Sequence, residues 1–111
     1  MAKKKTEAFP DDLLGTVELL VMKAVMACGD EAHGMAVFET VRESYPRISF
    51  GSVYTSLERL TWKGYLEMKL SGAGLAGNRG RARKFYKATG LGYKVARATN
   101  NAVLSLKLVE A

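Results

Sequence analysis

The stretch that decides the fold is ISFGSVYTSLERLTWKG, residues 48–64. Three apolar residues in it recur at spacings of four and three residues, namely Val53, Leu57 and Leu60. This spacing places them on one side of a helix, and we expect that side to be buried. Ser49 is positioned to cap the first turn, and Gly64 stands where a helix commonly ends in a left-handed residue.

The other side of this predicted helix carries hydrogen-bond donors. They are Ser52, Thr55, Ser56, Arg59 and Lys63. We expect these side chains to point away from the core, where a polar surface of this kind suits a groove of DNA. An ordinary solvated helix has the same pattern, so the neighbouring segments must decide between the two interpretations.

The chain has 111 residues, of which 48% are hydrophobic, which is enough for one domain with a core. Its single cysteine, Cys28, excludes an intrachain disulfide and is expected to be buried. No apolar run reaches the roughly 18 residues of a membrane-spanning helix, and no apolar signal core follows the N-terminal lysines. These features predict a soluble cytoplasmic protein without a membrane partner.

Charge is divided unevenly along the chain, whose net charge is +6. Residues 1–67 hold eight Lys or Arg and ten Asp or Glu, whereas residues 68–111 hold nine Lys or Arg and one acid, Glu110. An anionic partner would therefore meet no acidic side chain between Glu67 and Glu110. This distribution favours nucleic acid as the partner, and a basic surface kept for solubility is the alternative.

Two further helices are predicted ahead of residues 48–64. Apolar residues repeat with helical spacing over residues 13–28, where Thr16 is the expected cap and Asp12 the second choice. A second helix is predicted over residues 34–45 because Pro46 prevents it from continuing. Its apolar side consists of Val37, Phe38, Val41 and Tyr45.

Beyond Gly64 the pattern predicts a long β-hairpin. Residues 65–70 alternate with a period of two, residues 71–82 are rich in glycine, and residues 83–89 form the second strand. The side of the first strand expected to be buried carries Leu66, Met68 and Leu70. Five cations lie at the tip and on the return strand: Arg79, Arg81, Arg83, Lys84 and Lys87. Such cations can reach phosphates beside a docked helix or enter a minor groove.

A last helix is predicted over residues 90–109, with Thr89 as its cap. Apolar and small residues recur along it at alternating spacings of four and three, namely Val95, Thr99, Ala102, Leu106 and Val109. Further apolar residues widen this side beyond what one small domain needs: Val103, Leu104 and Leu108. We therefore expect the helix to join two subunits in a homodimer.

Other motifs do not indicate catalysis. Residues 72–77, GAGLAG, match a dinucleotide fingerprint, but a strand follows them and no acid lies about 20 residues later. His33 is the single histidine and is expected to be a turn or packing residue. Trp62 could stack on a planar ligand or pack at the dimer interface, and packing is favoured. We predict no enzyme, no metal site and no cofactor.

The predicted order is helix, helix, helix, strand, basic wing, strand, helix, which is that of a winged helix-turn-helix. The expected fold class is mainly α with a small β-hairpin (α+β). We expect a flexible N-terminal lead (residues 1–12), a winged-helix DNA-binding domain (residues 13–88) and a C-terminal dimerisation helix (residues 89–111).

The chain resembles the PadR family of bacterial transcriptional regulators from Leu13 to its C-terminus. The similar segments are LLGTVELLVMKAV, HGMAVFETV, ISFGSVYTSLERLTWKGYLE and RARKFYKATGLGYKV. The most specific positions are Gly51, Ser52, Val53 and Tyr54, followed by Leu57, Arg59, Leu60 and Gly64. A second signature consists of Arg83, Tyr86, Thr89 and Gly92.

The resemblance implies a homodimeric repressor whose third helices enter successive major grooves of a palindromic operator. It places Tyr54 at the DNA-facing start of that helix, and it implies aromatic or amphipathic effectors for some members. The single C-terminal helix resembles the short branch of the family. Thr55 stands where the family usually has proline, Ala88 where it usually has leucine, and the wing loop is longer and richer in glycine than usual.

The expected function is therefore sequence-specific regulation of transcription by a homodimer that binds double-stranded operator DNA and is released by a small-molecule effector. The alternative is a winged-helix module for protein association. The residues expected at DNA are Ser49, Ser52, Tyr54, Thr55, Arg59, Lys63, Arg79, Arg81, Arg83 and Lys84. Those expected at the dimer interface are Val95, Thr99, Ala102, Val103, Leu106 and Val109.

Overall fold

The computed structural model describes residues 13–71 and 83–105 of the chain. Four α-helices and two strands follow one another in the predicted order, and the mainly α fold class with one β-hairpin is confirmed. The elements are α1 (Thr16–Cys28), α2 (Gly34–Ser44), α3 (Phe50–Trp62), β1 (Leu66–Ser71), β2 (Arg83–Ala88) and α4 (Gly90–Ser105), with a short 3₁₀ turn at Gly29–Glu31 between α1 and α2.

The start of α1 differs from the prediction. Its N-cap is Gly15, and Thr16 is the first helical residue rather than the cap. The backbone amide of Gly15 donates to Oε1 of Glu18 at 3.2 Å. A glutamate in the first turn therefore fixes this helix start, and no capping hydroxyl is needed.

A tight turn joins α2 to α3. The backbone amide of Ile48 donates to the carbonyl of Tyr45 at 3.0 Å, and Ile48 is buried beneath the turn. Tyr45, predicted to lie on the buried side of α2, is 44% exposed because the helix ends one residue before it. Ser49 caps α3 as predicted, since its hydroxyl accepts from the amide of Ser52 at 3.1 Å.

The buried side of α3 is the predicted one, with one addition. The apolar residues Val53, Leu57 and Leu60 are fully buried. Ser56, predicted to point outward, is only 6% exposed because it lies three residues after Val53 and four before Leu60. Gly64 follows the helix with a φ of +85°, as its predicted left-handed role requires.

The core lies between α1, α2, α3, the first half of α4 and the inner end of the hairpin. Its largest fully buried side chains are Met22, Leu57, Leu60 and Leu66, and burial of each contributes about 1.5–3 kcal/mol. Cys28, predicted to be buried, is half-buried at the end of α1, with its Sγ 3.5 Å from the hydroxyl of Thr40 on α2.

The hairpin is anchored to the helices at one end. β1 and β2 are antiparallel, with a register that runs from Leu66 opposite Ala88 to Ser71 opposite Arg83. The amide of Tyr86 donates to the carbonyl of Ala32 at 2.9 Å, which ties β2 to the chain ahead of α2. On β1 only Leu66 is buried, and the predicted burial of two other apolar residues is wrong: Met68 is 39% and Leu70 57% exposed.

α4 packs closely on the rest of the chain. The hydroxyl of Thr89, the predicted cap, accepts from the amide of Gly92 at 2.9 Å and donates to the carbonyl of Gly64 at 2.7 Å. Further along, the hydroxyl of Thr99 accepts from the amide of Leu14 at 3.0 Å. α4 is therefore held at its first turn by the segment after α3 and at its third turn by the segment before α1.

Candidate nucleic-acid interface

The side of α3 opposite the core forms an exposed row. With 3.6 residues per turn, Thr55, Glu58 and Trp62 lie one above another at spacings of three and four residues. All three are exposed, and Trp62 is 85% exposed. This row is the part of α3 that an extended partner would meet first.

Polar residues flank the row. Ser52 and Arg59 are exposed on one side of it, and Tyr54 is half-buried on the other. Lys63, at the end of α3, has an intramolecular partner: its Nζ lies 3.3 Å from Oε2 of Glu18 on α1. The start of α3 is thus open to a partner, whereas its end is tied to α1.

A lysine of the second hairpin strand reaches the start of α3. Nζ of Lys84 donates to the hydroxyl of Tyr54 at 3.1 Å and lies 5.6 Å from the centre of the tyrosine ring. The same ammonium lies 3.8 Å from Oε2 of Glu58, one helical turn further along. These contacts place a cation of the wing, the hairpin formed by β1, β2 and the segment between them, directly beside the exposed side of α3.

Aromatic rings continue this cluster towards α2. The ring of Phe50 stacks on Tyr54 at a centroid distance of 5.9 Å, and the edge contact between Phe50 and Phe38 has a centroid distance of 5.4 Å. The guanidinium of Arg42 lies 5.0 Å from the centre of the Phe38 ring. The first turn of α3 is therefore held from both sides, by α2 and by the wing.

Two groups in this region have shifted pKa values. The hydrogen bond to Tyr54 raises the pKa of Lys84 above its ordinary value, and nearby Tyr54, Tyr86 and Glu58 act in the same direction. Burial raises the pKa of the Tyr86 hydroxyl. Lys84 therefore remains a cation and Tyr86 a neutral phenol throughout the physiological pH range.

The structure brings together part of the predicted DNA-binding set. Tyr54 and Lys84 are in contact, and Ser52, Thr55 and Arg59 are exposed on the same helix. Ser49 is engaged as the helix cap, where it also donates to the hydroxyl of Ser52 at 3.1 Å. Arg83 is exposed at the start of β2, while Arg79 and Arg81 lie outside the described residues.

Sequence reasoning missed two members of the cluster. Phe50, 41% exposed, stacks on Tyr54, and Glu58 faces Lys84. Glu58 stands four residues after Tyr54, so helical spacing could have shown that the two share one side of α3. The predicted turn or packing role of His33 is confirmed, since its Nδ1 caps α2 by accepting from the amide of Ala36 at 3.4 Å and its ring makes an edge contact with Phe85.

In the described part of the chain, no three His, Cys, Asp or Glu side chains are grouped so that they could hold a metal ion. No helix within residues 13–71 and 83–105 is long and apolar enough to cross a membrane.

Comparison with known families gives a match at residues 24–98, to the transcriptional regulator PadR-like family. The chain belongs to this family. No curated protein matches it significantly. Family membership makes this PadR-like chain a DNA-binding transcriptional regulator, and members of such families are generally not enzymes.

Solved structures share the fold of this PadR-like chain. A PadR family transcription regulator from hypervirulent Clostridium difficile R20291 is similar with a TM-score of 0.68 and 21% identity, over 82% of this chain and 90% of that one. A candidate transcriptional regulator from Thermoplasma acidophilum is similar with a TM-score of 0.66 and 19% identity, over 80% of this chain and 81% of that one. The winged-helix order predicted from the sequence is therefore that of PadR regulators.

Proposed function

We propose that this PadR-like chain is a homodimeric repressor that reads double-stranded operator DNA with α3 and holds the duplex with wing cations. The observation that carries the proposal is the contact between Lys84 and Tyr54, at 3.1 Å. It sets a cation of β2 beside the exposed start of α3, so that one duplex can meet both. Arginines and lysines in this position suit phosphates, and polar helix residues suit base edges.

On α3 we assign base or phosphate contacts to Ser52, Tyr54, Thr55 and Arg59. Arg59 is the strongest candidate for base reading because a guanidinium can donate twice to O6 and N7 of guanine. Ser49 and Lys63 already have partners in Ser52 and Glu18. We therefore propose that these two residues mainly stabilise the start and the end of α3 and contact nearby phosphates only in addition.

The wing supplies the second set of contacts in this proposal. Arg83 and Lys84 belong to β2, and the sequence places Arg79 and Arg81 in the tip segment. We assign all four to phosphates or to the minor groove beside the helix. The absence of acids between Glu67 and Glu110 supports this assignment because an anionic backbone meets no repulsion there.

The second half of α4 is assigned to the dimer interface. Val95 and Thr99 of the expected interface are already buried within their own chain. Ala102 is half-buried and Val103 is 59% exposed, so the open part of the expected interface begins here. Leu104 is 65% exposed beside them, and the heptad-like spacing continues in the sequence through Leu106 and Val109, which lie outside the described residues.

Release by an aromatic or amphipathic effector completes the proposed mechanism, and its support is the family to which the chain belongs. Trp62 offers a direct readout because it is the single tryptophan and is 85% exposed. An effector that releases DNA should do so in a titration monitored by DNA anisotropy. The same effector is then added to the protein without DNA, so that DNA release cannot alter the tryptophan emission. A change in emission would place the effector near Trp62, and an unchanged emission would leave Trp62 as a residue of subunit packing.

DNA reading by α3 is tested with Arg59→Ala. Duplexes enriched from a random pool by the wild-type protein are labelled, and affinity is measured by fluorescence anisotropy. We expect the variant to lose about 1–3 kcal/mol on the enriched duplex, with a smaller loss on a scrambled one. The matched control is Arg97→Ala, which removes the same charge from an exposed position on α4. Equal losses for the two variants would remove Arg59 from the reading surface.

A simpler measurement distinguishes the proposed DNA-binding function from the alternative, a winged-helix module for protein association. A DNA-binding winged helix with this basic segment should bind random duplex DNA, and its affinity should fall steeply as salt is added. Affinity for random duplex that is undetectable at low salt would favour the protein-association module.

A further inference from the structure

The one acidic residue of α3 is Glu58, and it stands on the exposed row of the helix. Its side chain is 55% exposed, between Thr55 and Trp62 along that row. A carboxylate on a surface that faces DNA is repelled by the phosphates. Its presence at this point of a DNA-binding helix therefore requires a compensating contact or a specific role.

Lys84 supplies the compensating contact. Its Nζ lies 3.8 Å from Oε2 of Glu58 and 3.1 Å from the hydroxyl of Tyr54. An ion pair this exposed adds little to folding stability, because water screens it and both side chains must be ordered. What the contact does accomplish is to neutralise the carboxylate and to restrict the direction in which a flexible glutamate points.

The chemistry of a carboxylate then narrows what Glu58 can recognise. An ionised carboxylate only accepts hydrogen bonds, so it cannot pair with the acceptors of guanine or thymine in the major groove. The donors in that groove are the amino groups of cytosine and adenine, and glutamate is the usual partner of the cytosine N4 amino group. Thr55 and Arg59, the adjacent contacts of the proposed function, lie on either side of it along the helix.

We propose that Glu58 is a specificity-determining residue that accepts a hydrogen bond from the N4 amino group of one cytosine in each operator half-site, with Lys84 as its positioning residue. This inference rests on the proposed function, since it requires that α3 enters the major groove. It adds a base to the recognition code and gives the wing lysine a part in base selection besides phosphate contact.

The experiment compares the DNA sequences enriched from a random duplex pool by the wild-type protein, Glu58→Gln and Glu58→Ala. Glutamine pairs with adenine, so Glu58→Gln should change one position of each half-site from C·G towards A·T, while alanine should relax that position. We expect discrimination at that base pair to fall on the order of 10-fold to 100-fold, with the other positions unchanged. Glu39→Gln, the same substitution at an exposed position of α2, should enrich the wild-type sequence.

Lys84 is tested at the same base pair. Lys84→Met keeps the aliphatic stem and removes the charge, so it should reduce the discrimination between bases at the position read by Glu58. Lys84→Arg keeps the charge and should retain the wild-type preference at that position. In the Glu58→Gln background, Lys84→Met should cause no further loss of discrimination at that position. A phosphate contact alone would instead weaken binding to all duplexes and leave the enriched sequence as it was.

The outcomes separate the inference from the proposed function. If the wild-type protein enriches a sequence that both Glu58 variants also enrich, the inference is wrong and the proposed function stands. Variants that bind every duplex more tightly by the same factor would show that Glu58 is only repulsive, which also overturns it. A wild-type protein that enriches no sequence would overturn both.

Discussion

Gly92 determines how closely α4 can approach the segment after α3. A Cβ atom built on Gly92 would lie 1.9 Å from the carbonyl oxygen of Tyr65 and 2.7 Å from its carbonyl carbon. Both are backbone atoms, which cannot rotate away as a flexible side chain could. The close packing of the first turn of α4 therefore depends on the absence of a side chain at this position.

We predict that Gly92→Ala lowers the free energy of unfolding by about 2 kcal/mol or more, because α4 has to move away from Tyr65. Urea denaturation monitored by circular dichroism measures the change. The control is Gly90→Ala, where nothing lies within 4 Å of the added Cβ and the expected change is within about 1 kcal/mol. Equal effects at the two glycines would contradict the close packing described for Gly92.

For individual residues, the sequence predicts which side of a helix is buried or exposed better than it predicts which side chains are in contact. Ser52 and Ser56 are the same residue type, yet the first is exposed and the second is buried. The spacing of Ser56 from Val53 and Leu60 contains this information, whereas residue polarity points the wrong way. The contact of Lys84 with Tyr54 joins positions 30 residues apart, and no local pattern could have revealed it.

At the scale of secondary structure elements, the start of α3 depends on a single hydroxyl. Ser49→Ala removes the acceptor of the Ser52 amide, and we predict a loss of about 1 kcal/mol in the free energy of unfolding. Thr55→Ala is the control on the same helix, since Thr55 is exposed and alanine is the better helix former. If thermal or urea denaturation gives the two variants the same stability, Ser49 does not cap the helix in solution.

The wing shows what periodicity can and cannot predict. Alternation in residues 65–70 correctly predicted a strand, and residues 83–89, which follow the glycine-rich segment, were correctly predicted to form the second strand of the hairpin. It wrongly predicted burial along the whole apolar side of β1, because the length that is covered depends on how far the helices extend beneath the hairpin. They cover Leu66 and leave Met68 and Leu70 exposed.

For the wing tip we predict an effect on salt dependence. The double variant Arg79→Ala, Arg81→Ala should bind all DNA sequences more weakly, and its affinity should fall less steeply with salt, by about one unit of slope for each lost phosphate contact. Lys94→Ala, Arg97→Ala removes two charges from exposed positions of α4 and serves as the control. A slope that matches the wild type for the tip variant would exclude tip contacts with phosphates.

At the scale of the whole molecule, the dimer proposal makes α4 the element that joins two subunits. Val103 is 59% exposed, so that Val103→Glu places a charge in the proposed interface without disturbing the core of the chain. We predict that this variant sediments as a monomer at concentrations where the wild type is a dimer. Asn101→Glu adds the same charge at another exposed position of α4 and should remain dimeric.

The overall order of elements could be predicted from the sequence, since helical and strand periods change at the right places, and the family could be predicted from the segments that resemble PadR regulators. The sequence could not predict which residues of α4 pack within the chain and which remain available to a second subunit. Val95 and Thr99 share the spacing of Ala102 and Val103, yet the hydroxyl of Thr99 is used inside the chain by the amide of Leu14. Which residues of α4 are used inside the chain depends on how the segment before α1 packs against it. This is a tertiary contact, and the spacing of residues within α4 does not reveal it.

Whether α3 reads a specific sequence of DNA is measured by the affinity ratio between enriched and scrambled duplexes over a range of salt concentrations. We predict an enriched inverted repeat whose half-sites are about 10 base pairs apart, or a multiple of that distance, and a preference of at least about 1,000-fold. Affinity for both duplexes should fall with salt while the preference persists. Equal affinity for the two duplexes at every salt concentration would show that α3 does not select a DNA sequence.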